Sequence, residues 1–273
     1  RDMGFEQGGG YAKLGYEISR RWSVRADVNV THFNASNPGS VTAPLTDARQ
    51  RITRGMTSVA VDNDYDKTAG TVSFFYNWGR HRINDGYGQG ASPKLFRFNS
   101  RDNMMGVSVY QSVRPFASGR FTFGADWYRF GGRAWNHFVQ GEQSGQDVQI
   151  VDRTEHEIAG YADYNQNIAR WLTLNAGIRF DYHSRVGSQW VPQAGLSFSL
   201  PHDMSLKLSA GKGFRYPTLR EMYMFGTANP DLRPESMWNY EVAFSHSLAC
   251  GLSYGVNVFY IDGKNMIVAV PRE

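Results

Sequence analysis

Apolar and polar residues alternate with a period of two along nearly the whole chain. From Trp22, the residues Trp22, Val24, Ala26, Val28 and Val30 share one face, opposite Ser23, Arg25, Asp27, Asn29 and Thr31. From Leu172, the set Leu172, Leu174, Ala176, Ile178, Phe180 and Tyr182 opposes Thr173, Asn175, Gly177, Arg179 and Asp181. Runs from Trp190 and from Leu252 repeat the pattern, the last with Tyr254, Val256, Val258 and Tyr260 against Ser253, Gly255, Asn257 and Phe259. Such alternation gives each strand one apolar and one polar face. It predicts about twelve strands, near 11–18, 22–33, 49–61, 68–80, 101–113, 120–130, 155–168, 171–183, 189–200, 204–214, 237–248 and 252–262. The segment 49–61, with Arg49, Arg51 and Arg54, alternates least well. No amphipathic helix of about ten or more residues emerges, and the fold class is all-β.

Connections discriminate further. Short turns near 19–21, 62–67, 114–119, 169–170, 201–203 and 249–251 alternate with long segments at 34–48, 81–100, 131–154 and 215–236; only 184–188 departs from the rule. In an up-and-down sheet all the long connections then emerge at one end, as in outer-membrane barrels. Strands of this length also suit tilted spans, which need ~9–11 residues, whereas soluble strands average ~5–6. Trp22, Phe121 and Trp171 sit at the short-turn rim, and Trp78, Trp127, Phe180, Tyr182, Trp190, Trp238 and Tyr260 toward the other. Two aromatic girdles are what bilayer interfaces favour. The expectation is an antiparallel transmembrane β-barrel. Its polar set, including Arg25, Asp27, Asp126, Arg179, Asp181, Asn239 and Glu241, faces a wet interior, and its apolar set faces lipid.

Bulk composition agrees. The 273 residues are 41% hydrophobic and 14% aromatic, with 29 glycines. Mean hydropathy is −0.48 and no apolar run approaches the ~18–20 residues of a spanning helix. A membrane barrel tolerates such polarity because only alternate residues meet lipid. Twenty-nine basic and 25 acidic residues are interspersed, so no basic face for nucleic acid is expected. The single cysteine, Cys250, rules out an internal disulfide framework. Position 1 is Arg rather than Met, close to a strand-like segment, so a mature piece or a fragment is expected.

The segment GKGFRYPTLREMY, from Gly211, followed by NPDLRPESMWNYEVAF, ending at Phe244, resembles the barrel region of TonB-dependent outer-membrane receptors. The matching positions are Gly213, Phe214, Arg215, Pro217, Thr218, Leu219, Glu221, Met222 and Tyr223, then Asn229, Pro230, Asp231, Leu232, Pro234 and Glu235, then Trp238, Tyr240 and Glu241. VNVFYIDGKNMIV, Val256 to Val268, and GIRFDYHS, from Gly177, are similar to further strands of the same family. These motifs cover about a third of the chain. The resemblance implies a 22-stranded barrel around an N-terminal plug. The chain shows no plug-like segment, no TonB-contacting segment and no closing aromatic strand, so a mid-barrel piece spanning 1–273 with two open edges is expected. It further implies energy-coupled import of a scarce ligand, such as an iron chelate, haem, cobalamin or a glycan. The implied partners are outer-membrane lipid, the protein's own plug domain and TonB. No cofactor and no catalytic activity are expected.

Candidate ligand contacts fall in two long connections. The loop 215–236 carries Arg215, Tyr216, Arg220, Tyr223, Met224 and Phe225. Arginine beside aromatics suits an anionic or ring-bearing ligand. Pro217, Leu219, Pro230, Leu232 and Glu235 read instead as a brace fixing the loop to the rim. The segment 131–154 offers Trp135, His137 and Phe138. Haem receptors of the family often place a His between the two signature boxes, and none stands between Thr218 and Ala228, which disfavours haem. Asp62, Asp64 and Asp66 have calcium-like spacing without the turn Gly and later Glu of a calcium loop, and read as a solvated turn. His156 and Glu157 are not followed by a second zinc-binding His, and no Gly-x-Ser-x-Gly elbow occurs. The competing reading is a self-contained twelve-stranded pore, translocator or membrane enzyme, which an even strand count permits.

Overall fold

The computed structural model describes residues 4–268. Twelve antiparallel strands form one sheet in strict sequence order. They are β1 (Phe5–Ser19), β2 (Trp22–Ser36), β3 (Leu45–Asp64), β4 (Thr68–Gly88), β5 (Phe96–Phe116), β6 (Gly119–Phe138), β7 (Asp147–Ala169), β8 (Leu172–His183), β9 (Gly187–Leu200), β10 (Met204–Arg215), β11 (Glu235–Ser247) and β12 (Ser253–Lys264). A single helix, α1 (Leu219–Tyr223), interrupts the connection between β10 and β11. Each strand pairs with its sequence neighbours alone, and β1 and β12 do not meet among the described residues. The sheet is an open segment of barrel wall, so the structure gives no support to a self-contained twelve-stranded barrel.

All twelve expected strands are present, 49–61 included as part of β3, but most run further than the alternation suggests. The strands β3 to β7 are 20, 21, 21, 20 and 23 residues long. The connections expected at 34–48, 81–100 and 131–154 shrink to 37–44, 89–95 and 139–146. The cause is physical. Alternation marks the stretch with lipid on one side and water on the other, whereas hydrogen-bonded pairing continues above the bilayer where both faces are wet.

The distribution of burial is inverted relative to a water-soluble domain. The buried apolar residues are small except for Val151 and Met222, and the largest fully buried side chains are Met222, His183 and Asp181. Val28, Val59, Phe74, Val109, Ile178 and Val242 are exposed on the convex face. A soluble protein rarely leaves so large an apolar surface open; lipid covers it here. The concave face carries the expected polar set. Arg179 donates to Asp126 at 2.7 Å and to Asp181 at 2.9 Å, with its guanidinium over the Tyr161 ring. Arg25 donates to Asp62 at 2.7 Å, which also accepts from Thr71. Asp62 is therefore engaged within the wall. Asn239 and Glu241 line a cavity of ≈ 500 Å³ on the same face.

Both girdles lie on the convex face. At the short-turn rim Trp22 packs edge-on against Tyr65, Phe121 stacks on Tyr164 and Trp171 on Phe198. At the other rim Phe180 meets Trp190, and Trp238 stacks on Tyr240. Gly55 faces Trp78 across the β3–β4 pair, and a Cβ there would come within 2.4 Å of the indole. The glycine leaves the slot in which that girdle tryptophan lies flat.

Candidate ligand-binding loop and rim

The connection 216–234 is the longest in the structure, and its anchoring begins with a local turn. Thr218 caps α1: its hydroxyl accepts from the Glu221 amide at 3.2 Å, and the Glu221 carboxylate accepts from the Thr218 amide at 2.7 Å. This reciprocal capping box satisfies donors that a one-turn helix would otherwise leave open. Arg215, the last residue of β10, then clamps the loop. Its Nη1 and Nη2 donate to Glu221 at 2.9 and 3.1 Å, and its Nε donates to Glu235 at 2.7 Å. This hydrogen-bonded guanidinium draws the Glu221 carboxyl down to about 2, although burial pushes the other way. Glu235 also accepts from the Ile267 amide at 2.7 Å. Pro217 and Pro234 are buried at the two ends of the loop.

A second anchor lies beneath. His183 and Glu155 are almost wholly buried, with Nε2 3.2 Å from Oε2. His183 Nδ1 accepts from the Arg185 and Val186 amides at 3.1 and 3.3 Å. An accepting Nδ1 leaves the ring proton on Nε2, facing the carboxylate. The contact is electrostatic rather than an aligned hydrogen bond, since Glu155 Oε2 completes none. The Tyr223 hydroxyl donates to Glu155 Oε1 at 3.0 Å, and Tyr216 packs on the His183 ring while donating to the Gly187 carbonyl at 3.1 Å. Burial, then the hydrogen bond to Glu155, raises the Tyr223 phenol.

What remains accessible is narrower than the sequence suggests. Arg215, Tyr216 and Tyr223 are committed to anchoring, although one face of the Tyr223 ring takes the Arg153 guanidinium at 5.3 Å. Met224 ends α1 and is half-buried. Phe225 is exposed, adopts φ 68, and lies 6.0 Å from Phe98 of β5 with the Arg220 guanidinium 5.5 Å from its ring. A bulky residue in the left-handed region is uncommon and strained. The loop thus folds inward, carrying Arg220 and Phe225 over the concave wall. Phe98 and Arg153 complete this lip and were not singled out from the sequence, because each lies in a stretch read as connection and meets the loop only through the curvature of the wall.

The segment 131–154 is placed differently from its expectation as one long loop. Trp135, His137 and Phe138 all lie in β6. Trp135 packs against Arg101 and Arg133 on the convex face, and His137 Nδ1 lies 2.7 Å from Asp147. Phe138 packs on Phe96. None of the three joins the lip formed by Arg220 and Phe225. Among the described residues no group of three or more His, Cys, Asp and Glu side chains could hold a metal.

The fold and the sequence both have relatives. The family described as TonB dependent receptor-like, beta-barrel matches residues 4–273. The iron-regulated outer membrane virulence protein of Vibrio cholerae is 23% identical over 95% of this chain and 39% of its own length. The ferrienterobactin receptor of Escherichia coli is 28% identical over 45% of this chain and 19% of its own. The crystal structure of the ferric enterobactin receptor of Pseudomonas aeruginosa superposes with a TM-score of 0.76 at 16% identity, over 96% of this chain and 43% of that one. The chain spans about two-fifths of the length of the first of these relatives and of the solved receptor. With a wall of antiparallel strands in sequence order, lipid outside and polar networks inside, the chain belongs to the TonB-dependent receptor family and forms part of its outer-membrane β-barrel.

Proposed function

We propose that the intact protein is an outer-membrane receptor that binds an iron chelate on its extracellular rim and imports it by TonB-coupled active transport. In this reading the remaining strands close the wall, and a plug domain fills its interior. The observation that carries the ligand class is the lip itself. Exposed Phe225, held at φ 68 beneath the Arg220 guanidinium and beside Phe98, offers a ring face and a positive charge together. Such a pair suits an anionic, ring-bearing chelate. Relatives named for iron regulation and for ferric enterobactin point the same way. Cobalamin is the second reading, because transporters of vitamin B12 are also among the relatives.

The test is binding of ferric enterobactin and of cobalamin to the intact receptor, with Phe225→Ala and Arg220→Ala beside the unaltered protein. Loss of an aromatic or arginine anchor typically costs more than ~1–2 kcal/mol, so each change should weaken chelate binding about tenfold or more. Unchanged affinity in both variants would remove the lip from the ligand site. Cobalamin binding that alone responds to them would favour the second reading.

A further inference from the structure

The convex face of β3–β6 changes chemistry at the upper girdle. Below Trp78 and Trp127 it is apolar, with Val59, Val72, Phe74, Val107 and Val109 exposed. Just beyond them it becomes a field of guanidiniums. Arg51 stands directly opposite Arg82 across the β3–β4 pair, Arg80 opposite Arg101 across β4–β5, and Arg101 opposite Arg133 across β5–β6. All five side chains are exposed. Like charges directly opposite each other destabilise a sheet, and here three such pairs share one face.

The described residues leave this field without an ion-paired carboxylate. Among the described residues none of the five forms an ion pair; Asp47 is taken by Arg97 at 3.6 Å, and Asp152, opposite Arg133, makes no ion pair with it. The Trp135 ring lies 5.9 Å from Arg101 and 5.4 Å from Arg133. Arg51 and Arg82 line a groove of ≈ 270 Å³.

Height identifies the missing counter-charge. Arg80 lies two residues beyond Trp78, a rise of roughly 7 Å along the strand. Interfacial tryptophans mark headgroup level, so Arg80 stands at the lipid phosphates, while Arg82, four residues beyond Trp78, and Arg133, six beyond Trp127, extend the field up through the headgroup layer. Three strand spacings of ~4.8 Å make the field about 14 Å wide from β3 to β6, more than one phosphate can span. We propose that this face binds a phosphorylated glycolipid of the outer leaflet, whose several phosphates bridge the opposed arginines. Planar guanidinium forks suit bidentate phosphate contacts.

The experiment reconstitutes the intact receptor in nanodiscs of phosphatidylcholine alone, with phosphatidylglycerol, or with lipopolysaccharide. It compares the unaltered protein with R82Q/R101Q, which removes all three opposed pairs. In phosphatidylcholine the variant should be at least as heat-stable as the original, since the repulsion is gone. Lipopolysaccharide should stabilise the original, and its affinity for the variant should be about thirtyfold lower. Equal lipopolysaccharide affinity for the two proteins would overturn the proposal, as would equal stabilisation by phosphatidylglycerol. Should R82Q/R101Q fail to fold, R82K/R101K keeps the charges and loses the forks. About threefold weaker lipopolysaccharide binding by that variant supports the proposal, and unchanged affinity overturns it.

Discussion

Replacing Ile178 by Arg tests the assignment of faces most sharply. Ile178 lies on the convex face of β8, 47% exposed, opposite Ala162 of β7 and Pro192 of β9. It follows the lower-girdle Trp171 by seven positions. At ~3.3 Å per residue and a tilt of ~40°, that places it roughly 18 Å above the lower rim and about 5 Å below upper-girdle Phe180, in the upper half of an apolar band ~25 Å tall. Arginine costs ~2–4 kcal/mol at the midplane and ~0–1 at an interface, so at this intermediate depth the cost is about 2 kcal/mol, and neither Ala162 nor Pro192 offers a compensating carboxylate. Asn175, three residues earlier, points to the concave side and lines the cavity of ≈ 500 Å³ that also holds Asp163 and Glu241. Asn175→Arg loses a hydrogen bond with Asn165 and enters a polar cavity lined by Arg120 and Lys207 as well as Asp163 and Glu241, for a cost of about 1 kcal/mol. Refolding of the intact receptor into phosphatidylcholine vesicles, followed by urea titration and heat-dependent gel mobility, measures both. Ile178→Arg should be the less stable by about 1 kcal/mol. Equal stability, or greater damage from Asn175→Arg, would refute the assignment of faces.

Two predictions concern the loop clamp. Arg215→Gln leaves Glu221 and Glu235 without their shared cation; for a partly exposed cluster the cost is about 1–2 kcal/mol, and it falls on the loop rather than the wall. Limited proteolysis should then cut within 216–234 while heat-dependent gel mobility stays unchanged, and an uncut loop would refute the clamp. Glu221 has its carboxyl lowered to about 2 from an ordinary 4.5, so the folded loop favours the ionised form. Its contribution is complete above about pH 4.5 and disappears as pH falls toward 2, amounting to about 1 kcal/mol after solvent screening. Hydrogen-exchange protection of 216–234 should therefore differ between the unaltered protein and Glu221→Gln at neutral pH and converge near pH 2; a constant difference would contradict this.

The wall was legible because a bilayer separates its two faces so completely. Each odd–even contrast, such as Ile178 against Arg179, records lipid on one side and water on the other. Legibility ended where lipid ended. Arg51 points outward and Arg54 inward to Asp102, both above the girdle, so 49–61 alternates poorly although it is continuous strand. Of the residues that read as a brace, the structure joins Glu235 to Arg215 and buries Pro217, whereas Pro230 is exposed. The contacts of Phe225 with Phe98 and of Tyr223 with Glu155 were not recognisable, since they bridge 127 and 68 positions of sequence through the curvature of the sheet. Trp135 looked like a loop aromatic because nothing local reveals that pairing continues to Phe138.

As proposed above, this wall would belong to an energised importer rather than a passive pore. The most direct measurement is accumulation of radioiron from ferric enterobactin by cells whose only enterobactin receptor is the intact protein, with and without TonB. Saturable uptake should cease without TonB while surface binding persists. Uptake that continues unchanged without TonB would contradict the proposal.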